Sequence, residues 1–583
     1  MPYQPPLAEI AFALEHHANL DELATWCANP SADLATTVGL LAEAGRFVAE
    51  VFAPLAATGD EHGCVRHPNG TVSTPPGTPE AYQKFVESGW GGISFPEQFG
   101  GGGFPWVVTI AFQEMLAAAN MGFSLCPLLT QGAIELLLHH ASPEQHAVYL
   151  PKMIGGQWTA SMNLTEPDAG SDVGALRTNA VPQADGTYRV SGTKIFITYG
   201  EHDLAENIVH LVLARTPNAA AGTKGISIFI VPKFLAALDQ LDGTLGERNG
   251  VQCLKIEHKI GIHASPTCVL EFDDAVGYLI GEEGAGMRAM FTMMNNARLS
   301  VGVEGLATAE AAYQLAREYA NNRVQGRIAG SPKPSNSPIA HHPDVGLMLA
   351  TMRAHVDAMR ALLYFDAAQV DRATSHPNEG ERRNAHNLVA LLTPLCKSWC
   401  SDVGIEMASL GIQIHGGMGY IEETGAARLW RDSRIAPIYE GTNGIQAIDL
   451  VTRKLGLEGG STLDDLLSQV AAEAGDTAEL QAVQRATQWM RLALSEQRIE
   501  DALAGATPYL RMLATVVGDW VMQRSARAAR IELNAGSDNL AFLGNRIASA
   551  TVFRNRVLPT VLGLERSATT GYSDISDFEI PGK

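Results

Sequence analysis

The chain has 583 residues, too many for a single hydrophobic core, so several structural units are expected. Hydrophobic residues make up 46% and charged residues 18%, a composition typical of soluble globular proteins and without the signature of disorder. The net charge of −21 disfavours nucleic acid as a partner, because binding to a phosphate backbone needs a basic surface. A small phosphorylated ligand is not excluded, since it needs only a few local positive groups.

The seven cysteines are scattered and odd in number, which argues against a disulfide framework and favours a reducing compartment. Cys396 and Cys400 lie on a predicted helix without an accompanying Cys/His set, so buried thiols are favoured over a metal site. Residues 1–6 lack the basic patch that opens a signal peptide. No segment approaches the roughly 20 continuous apolar residues that span a bilayer. We therefore expect a cytoplasmic protein without membrane insertion.

Residues 1–160 are predicted to form a helical domain. Leu41, Ala44, Val48 and their apolar neighbours recur at helical spacing, and residues 111–119 show the same tendency. The glycine-rich run at 100–105 predicts a loop. No G-x-G-x-x-G follows a hydrophobic strand there, which excludes a Rossmann fold.

Residues 161–281 are predicted to form a small β-domain, because short β-branched or aromatic runs alternate with Gly, Pro, Asn and Asp. The predicted strands are 188–190, 195–197, 208–213, 226–231 and 269–272. The order of segments indicates a mainly α protein with a central β-domain.

Helices return in residues 282–456, predicted to be a helical bundle, and a further helical domain is predicted for 457–583. One helix carries a buried stripe with spacings of three and four residues. The stripe consists of Val345, Leu349, Met352, Val356, Met359 and Leu363. Residues 330–338 are predicted to be a loop by composition. In the last domain, Thr462 is a predicted helix cap, and Thr507 is a predicted cap before proline at the first helical position.

Four short motifs stand out along these segments. They are MNLTEPDAGSD at 162–172, FITYG at 196–200, QIHGGMG at 413–419 and PIYEGTNGIQ at 437–446. A lone Tyr-Glu-Gly is weak evidence of a site, since most glutamates followed by glycine are solvated loop residues. In order and spacing, however, the four motifs together resemble those of the acyl-CoA dehydrogenase family.

The resemblance runs from about residue 40 to residue 455. It implies an N-terminal helical domain, a middle β-barrel or sandwich and a C-terminal helical bundle. Residues 457–583 resemble the additional C-terminal helical domain of a longer bacterial branch. That branch includes 3-methylmercaptopropionyl-CoA dehydrogenases, to which HKIGIHASPT at 258–267 is similar, and broad-range fatty acyl-CoA dehydrogenases.

The resemblance implies that Glu440 is the base that removes a proton from the carbon next to a thioester. This proton is only weakly acidic, and a carboxylate in an apolar pocket has a raised pKa that suits it to the task near neutral pH. In the family, the β-hydrogen then leaves as hydride to N5 of FAD, giving a trans-2-enoyl-CoA. Some members place the base immediately before an arginine on an early bundle helix. Here the residue before Arg298 is Ala297, which cannot act as a base, so the resemblance leaves Glu440 in that role.

The resemblance also implies the cofactor contacts. The residues that match FAD positions are Met162, Leu164, Thr165, Ser171, Phe196, Thr198, Arg323, Gln413, Gly416, Gly417, Thr442 and Gly444. Phe196 replaces a tryptophan that packs against the flavin, so stacking is kept and an indole hydrogen bond is lost. The contacts that match Arg323, Gln413, Gly416 and Gly417 come from a neighbouring subunit in the family. A homodimer or a dimer of dimers is therefore implied.

The substrate contacts are implied in the same way. The matching residues are Ser171, Asn295, Arg298, Tyr439 and Gly441. Asn295 and Arg298 match positions that hold the CoA moiety, although Arg298 is equally consistent with a structural ion pair.

Three functions are compatible with these motifs. The first is an acyl-CoA dehydrogenase that passes electrons to an electron-transferring flavoprotein. The second is an acyl-CoA oxidase that uses oxygen, and the third is a non-enzymatic flavoprotein scaffold, which the intact motifs disfavour. For the substrate we rank 3-methylthiopropanoyl-CoA first, short- or medium-chain acyl-CoA second and long-chain acyl-CoA third. Acyl groups that differ by about one methylene or sulfur are discriminated in an apolar pocket by only about 1–3 kcal/mol, so overlap between these substrates is expected.

Overall fold

The computed structural model describes residues 3–236, 243–330, 336–576 and 578. The predicted architecture is confirmed, because helices surround a central β-domain and a further set of helices follows the bundle. Within the loop predicted at 330–338, residues 331–335 lie outside the described residues. The domain boundaries after residues 160, 281 and 456 stay predictions.

The N-terminal part is helical, apart from a two-stranded hairpin. Its elements are α1 Leu7–Ala13, α2 Leu20–Ala24, α3 Leu34–Val51, α4 Leu55–His62, β1 Val65–Arg66, β2 Val72–Ser73, α5 Thr78–Ser88, α6 Trp106–Ala119, α7 Met121–His140 and α8 Pro143–Ile154. Helix α3 begins where the Asp33 carboxylate accepts a hydrogen bond from the Thr36 N–H at 3.0 Å. Its predicted stripe faces the core through Leu41, Ala44 and Val48.

Among the residues that the structure describes, two helices are long and apolar enough to cross a membrane, α7 and the helical segment 379–420. Both are mostly buried inside the structure. This is the pattern of helices in the core of a globular protein, where every face is covered by other elements.

The central domain contains the strands β3 Trp158–Asn163, β4 Asn179–Pro182, β5 Tyr188–Thr198, β6 Asn207–Arg215, β7 Ile226–Pro232, β8 Phe234–Ala236, β9 Leu245–Arg248, β10 Val251–Ile256 and β11 Thr267–Leu279. Strand β11 pairs with β5 and β7, and β6 pairs with β4 and β7, so five strands form a closed circuit. The predicted runs at 188–190 and 195–197 are one continuous strand, β5. Sequence patterns missed β3, β4, β8, β9 and β10 of this domain. Strands β4, β8 and β9 are only three or four residues long, and buried residues alternate with exposed ones at the start of β10.

The bundle is built on three long helices with two short ones at the site. They are α9 Gly286–Asn322, α10 Pro343–Ser375, α11 Glu379–His415, α12 Ala426–Ser433 and α13 Asn443–Asp449. The predicted stripe on α10 is confirmed, since Met352, Val356 and Met359 are fully buried. Helices α9 and α11 approach closely: a Cβ added at Gly305 would lie 2.2 Å from the Cys400 carbonyl oxygen. A glycine at this position therefore sets the distance between the two helices that carry the site.

The C-terminal extension contains α14 Ser461–Ala474, α15 Ala478–Ser495, α16 Ile499–Ala504, α17 Ala506–Asn534, α18 Leu540–Val552, α19 Thr560–Thr569 and α20 Ser573–Ser576. Both predicted caps are wrong. Gly460, at φ +101°, precedes α14 and leaves Thr462 inside the helix. Gly505 precedes α17, so Thr507 and Pro508 belong to its first turn. Gly460 adopts a left-handed backbone that favours glycine and lets the helix begin before Thr462. Gly505 has an ordinary right-handed backbone, but a Cβ there would lie 2.0 Å from the Ala568 carbonyl oxygen, so close packing requires glycine at this helix start.

The extension is joined to the bundle by a buried ionic cluster around Asp357. Its carboxylate accepts hydrogen bonds from Arg546 Nη1 and Ser549 Oγ of α18, both at 2.7 Å, and from Arg353 Nε of α10 at 3.0 Å. Arg546 and Asp357 are both buried. Such a buried pair stabilises one arrangement of the extension on the bundle, because a shift of either part would leave an unpaired charge in the interface.

We expect Arg546→Met to lower the free energy of unfolding by about 3 kcal/mol, since it leaves Asp357 buried with one cation fewer. Urea denaturation measures this change. Arg511→Met is the matched control, because Arg511 also joins the extension to the bundle, through Glu406, but at a largely exposed pair. The control should cost less than about 1 kcal/mol. Equal losses in the two variants would contradict the assignment.

Candidate functional site

Glu440 lies in the tight turn between α12 and α13 with a backbone φ of +56°. A left-handed backbone is uncommon for a non-glycine residue and is found at functional sites that the surrounding structure holds in place. Gly441 follows with φ +82°, and a Cβ there would lie 2.9 Å from Gln446 Nε2. The turn itself therefore requires glycine at position 441, whereas Glu440 occupies its position against a steric cost. None of the described residues accepts a hydrogen bond from the Glu440 N–H.

Two local contacts hold the ends of this turn. Asn443 N–H donates to the Pro437 carbonyl at 2.9 Å, which closes the loop. Thr442 caps α13 by accepting the Ile445 N–H at 3.2 Å. Gly444 follows in the first turn of the helix and is exposed.

Helix α9 holds the turn through Arg298. Its Nε donates to the Glu440 carbonyl oxygen at 3.2 Å, and its Nη1 donates to Asn295 Oδ1 at 3.2 Å. Arg298 is buried, whereas Asn295, one turn earlier, is exposed. The structure thus brings both predicted α9 residues to the turn of Glu440, where Arg298 contacts the Glu440 backbone.

Helix α11 contributes a buried polar cluster on the other side of the turn. Lys397 Nζ donates to Asn443 Oδ1 at 2.8 Å. Asn443 Nδ2 in turn donates to Asp402 Oδ1 at 2.8 Å, Ser401 Oγ at 3.0 Å and the Ser398 carbonyl at 3.1 Å. The cluster anchors the residue three positions after Glu440 to α11.

A second carboxyl group lies close to the turn of Glu440. The Tyr439 hydroxyl donates a hydrogen bond to Glu304 Oε2, and Glu304 is buried in the middle of α9. Because Tyr439 is adjacent to Glu440 in the chain, the two carboxyl groups belong to one cluster.

The titration of this cluster is shifted by burial. Burial raises the pKa of Glu440 to about 7, although Arg298 and Lys397 both act to lower it. Burial raises the pKa of Glu304 to about 8, against the hydrogen bond from Tyr439. Burial also lowers the pKa of Lys397 to about 7, although Glu440 opposes this. A carboxylate and a lysine that both titrate near neutrality are typical of sites that move protons.

The motif MNLTEPDAGS leaves the end of β3 and is fastened to β5 by a buried ion pair. Lys194 Nζ donates to Glu166 Oε1 at 2.8 Å and to the Leu164 carbonyl at 3.0 Å. The Ile195 N–H donates to the Thr165 carbonyl at 2.9 Å. The motifs at 162–172 and 196–200, which lie about thirty residues apart in sequence, are therefore joined side by side.

The predicted FAD-contacting residues of these two motifs differ in their exposure to solvent. Met162, Thr165 and Thr198 are partly buried and Leu164 is buried. Ser171 is exposed, and an added Cβ at Gly170 would meet no atom within 4 Å. Phe196 is 59% exposed at a left-handed φ of +60°. An aromatic ring held outward in this way forms a flat apolar surface beside the loop.

The remaining predicted residues lie at the far end of the bundle. Arg323 directly follows α9, and Gln413, Gly416 and Gly417 lie at the end of α11; all four are exposed. The two helix ends are joined where the rings of Tyr319 and His415 stack with centroids 4.5 Å apart. These residues form one group that is separate from Glu440.

Family models match four parts of the chain. They describe the acyl-CoA dehydrogenase N-terminal domain at residues 37–157, the middle domain at 161–275 and the C-terminal domain at 284–455. A fourth, acetyl-CoA dehydrogenase C-terminal like, matches residues 462–579. The chain belongs to the acyl-CoA dehydrogenase family.

Relatives within this acyl-CoA dehydrogenase family cover almost the whole chain. The 3-methylmercaptopropionyl-CoA dehydrogenase of Ruegeria pomeroyi is 46% identical over 96% of both chains. A butyryl-CoA dehydrogenase of Syntrophomonas wolfei is 34% identical over 91% of this chain and 90% of its own. These similarities confirm the predicted family and its class of enzyme.

Solved structures confirm the fold. An acyl-CoA dehydrogenase from Bacillus anthracis, described as complexed with FAD, has a TM-score of 0.72 and 22% identity, covering 96% of this chain and 91% of its own. The butyryl-CoA dehydrogenase of Megasphaera elsdenii has a TM-score of 0.59 and 28% identity, covering 71% and 96%.

Four charged residues of this acyl-CoA dehydrogenase site were missed by motif reasoning: Glu166, Lys194, Glu304 and Lys397. Each except Glu166 is a charge within a run of apolar or small residues, such as LLTPLCKSWC around Lys397 and SVGVEGLA around Glu304. A charge predicted to be buried on a helix or strand is the signal that could have found them, since it must have a partner. Glu166 lies within a motif, but its role in holding the loop is not visible there.

We expect Lys194→Met to lower the free energy of unfolding by about 3–5 kcal/mol, because it leaves the Glu166 carboxylate buried without its cation. Urea denaturation checks the stability, and limited proteolysis at residues 167–171 reports whether the loop has come loose. Lys255→Met, at an exposed pair with Glu257 in the same domain, is the control and should cost less than about 1 kcal/mol. An unchanged stability and cleavage rate for Lys194→Met would rule out the anchoring role.

Proposed function

We propose that the protein catalyses the FAD-dependent α,β-dehydrogenation of an acyl-CoA thioester to the trans-2-enoyl-CoA, with Glu440 as the base. The observation that carries this proposal is a carboxyl group whose pKa is raised to about 7, held at a strained backbone position by two helices. A base with a pKa near the working pH is both ionised and basic enough to remove a weakly acidic proton.

The backbone at Glu440 supports the same reaction. Its N–H has no acceptor among the described residues, so it is free to donate to the carbonyl oxygen of a thioester. Such a donor stabilises the negative charge that develops on that oxygen as the α-proton leaves, at no cost of reorganisation. Arg298 donates a hydrogen bond to the Glu440 carbonyl oxygen and so helps to fix the positions of this N–H and of the carboxyl group.

The residues around the two β-domain motifs fit FAD. Phe196 offers an outward aromatic face, Gly170 leaves space for close approach, and Met162, Leu164, Thr165, Ser171 and Thr198 lie on the neighbouring segments. When bound, FAD supplies the acceptor for the hydride that leaves the β-carbon. Thr442 and Gly444, next to the base, complete the FAD contacts of this subunit. Ser171, Asn295, Arg298, Tyr439 and Gly441 form the substrate side.

A second subunit completes the cofactor site. Arg298 and Arg323 are 25 residues apart on and just after α9, which corresponds to roughly 35 Å, and Lys397 and Gln413 are separated by roughly 24 Å on α11. The exposed group of Arg323, Gln413, Gly416 and Gly417 is therefore too distant to serve the same ring as Glu440. These residues contact the adenosine portion of a partner's FAD, in a homodimer or a dimer of dimers.

The preferred substrate is 3-methylthiopropanoyl-CoA, which the 46% identity to the Ruegeria pomeroyi enzyme supports. Short- or medium-chain acyl-CoA is the alternative, supported by the butyryl-CoA dehydrogenase of Syntrophomonas wolfei at 34% identity. The electron acceptor is an electron-transferring flavoprotein; a solved structure whose description names such a protein, from Acidaminococcus fermentans, is 27% identical with a TM-score of 0.59. Use of oxygen is the competing outcome, which oxygen consumption during turnover detects. The seven free thiols favour the cytoplasm.

Glu440→Gln should abolish reduction of the flavin by acyl-CoA while leaving FAD bound, because an amide cannot accept the α-proton. We would add 3-methylthiopropanoyl-CoA, octanoyl-CoA or palmitoyl-CoA to the purified protein without oxygen and follow the flavin absorbance near 450 nm, roughly where the oxidised cofactor absorbs. Loss of the reaction rate by a factor of about 10⁴ or more is expected for a base in a step that has no other proton acceptor.

Glu406→Gln is the control for this titration, since Glu406 is an exposed carboxylate on α11. It should retain the wild-type rate. Flavin that is bound but is not bleached by any acyl-CoA in the wild-type protein would overturn the proposed reaction. Retained bleaching in Glu440→Gln would instead overturn only the assignment of the base.

Lys397→Met should change the pH profile of the reaction rate. The rise of the rate on the acidic side of the profile, its acidic limb, should move to higher pH. Glu440 must be ionised to accept a proton, and the positive charge of Lys397 lowers the Glu440 pKa. Removing that charge raises the pKa, so a higher pH is needed for the same ionised fraction. Single-turnover flavin reduction from pH 5.5 to 9 measures the limb, and Lys224→Met, at an exposed lysine of the β-domain, is the control. A limb that stays in place would exclude electrostatic coupling of the two groups.

A further inference from the structure

Asp402 is a partly buried carboxylate on α11 that the proposed reaction does not itself use. Its Oδ1 accepts a hydrogen bond from Asn443 Nδ2 at 2.8 Å. Asn443 is buried, and its backbone N–H closes the turn of Glu440 by donating to the Pro437 carbonyl at 2.9 Å. Asp402 is therefore one hydrogen bond away from the loop that carries the proposed base.

The side-chain amide of Asn443 is held between two groups of opposite charge. Its Oδ1 accepts a hydrogen bond from Lys397 Nζ at 2.8 Å, while its Nδ2 donates to Asp402. If the amide were turned over, its N–H groups would face the Lys397 ammonium and its oxygen would face the Asp402 carboxylate. An ammonium only donates and a carboxylate only accepts, so the two charges permit one orientation of the amide.

Lys397 is a buried cation without a direct ion pair. Its side chain is fully buried, and Asn443 Oδ1 is its hydrogen-bond acceptor among the described residues. Burial lowers the pKa of Lys397 to about 7, while Glu440, Asp402 and Glu304 act to raise it. A desolvated ammonium of this kind keeps its proton only while negative charges remain nearby.

The charge of Lys397 in turn acts on Glu440. Burial raises the pKa of Glu440 to about 7, and Arg298 and Lys397 both act to lower it. Glu304 and Tyr439 also face Glu440. With Lys397 protonated, Glu440 is ionised at a lower pH and is available as a base over a wider range.

Asp402 has no such direct effect on the proposed base. Burial raises the pKa of Asp402, and the hydrogen bond from Asn443 lowers it. The charged groups that face it are Arg511 of α17 and Glu406 and Lys397 of α11. Arg298 and Lys397, but not Asp402, are the charges that lower the pKa of the proposed base. An influence of Asp402 on the reaction must therefore pass through Asn443 and Lys397.

We propose that Asp402 is a positioning residue for the dehydrogenation: it fixes the amide of Asn443 and keeps the Lys397 ammonium charged and in place beside the turn of Glu440. The inference rests on the proposed function. Asp402 contacts neither substrate nor cofactor in this role, and it acts on the α-proton transfer only through the protonation of Lys397.

Asp402→Asn tests this role, because the amide keeps an oxygen for the Asn443 N–H but carries no charge. The acidic limb of the pH profile should move to higher pH, so that the rate falls about 3- to 10-fold more at pH 6 than at pH 9. The direction is informative, since removing a negative charge that acted directly on Glu440 would move the limb to lower pH. Single-turnover flavin reduction by acyl-CoA from pH 5.5 to 9 measures the profile.

A double variant tests whether the effect passes through Lys397. In the Lys397→Met protein, the further change Asp402→Asn should leave the acidic limb where Lys397→Met has placed it, because no ammonium is left to hold. Equal shifts with and without Lys397 would overturn the proposal. Glu406→Gln, at an exposed acid one turn further along α11, is the matched control and should leave the limb in place.

Bound FAD and the urea midpoint of unfolding check that each variant folds. Asp402→Ser, a smaller neutral variant, carries the same expectation, so the test does not depend on the folding of one variant. A rate that falls equally at every pH, or a limb that moves to lower pH, would overturn the proposal. Failure of every acyl-CoA to bleach the wild-type flavin would refute the proposed function and this inference with it. Wild-type bleaching with an unshifted Asp402→Asn profile would overturn this inference alone.

Discussion

The hydrogen bond from Arg298 to the Glu440 carbonyl joins a strained turn to α9, one of the two longest helices of the bundle. A glutamate in the left-handed backbone conformation costs free energy. Such a conformation persists only where contacts with the surrounding structure hold it in place. Arg298 on α9 and the Lys397–Asn443 pair on α11 do so from opposite sides. The position of Glu440, the proposed base, thus depends on the packing of α9 against α11. Gly305 permits that close packing.

Helix α9 carries most of the chemistry along one axis. Asn295 and Arg298 lie near the turn, Glu304 accepts the hydrogen bond from Tyr439, and Tyr319 joins the distant group at the end of α11. A single rigid helix therefore sets the spacing between these contacts. Sites built on helices are more precise than sites built on loops, because helical geometry leaves little freedom between successive turns.

The sequence predicts those parts of the site whose residues are neighbours in the chain. The turn at 437–446 contains the proposed base, its glycine and its helix cap within ten residues, and the stripe on α10 follows directly from helical spacing. The pairs that hold the site connect residues far apart in the chain: Lys194 with Glu166, and Tyr439 with Glu304. A single sequence contains no record of such pairing, because it depends on how helices and strands dock. The wrong caps at Thr462 and Thr507 have a different cause, since neighbouring glycines changed the local boundary.

The two carboxyl groups of the site face different surroundings, and this difference separates their chemistry. Glu440 is partly exposed and lies near Arg298 and Lys397, which restrain the rise of its pKa. Glu304 is fully enclosed, and its pKa rises further. At neutral pH one group can therefore accept a proton while the other retains one. In this protein burial raises the pKa of both carboxyl groups, and the charges of Arg298 and Lys397 oppose the rise at Glu440.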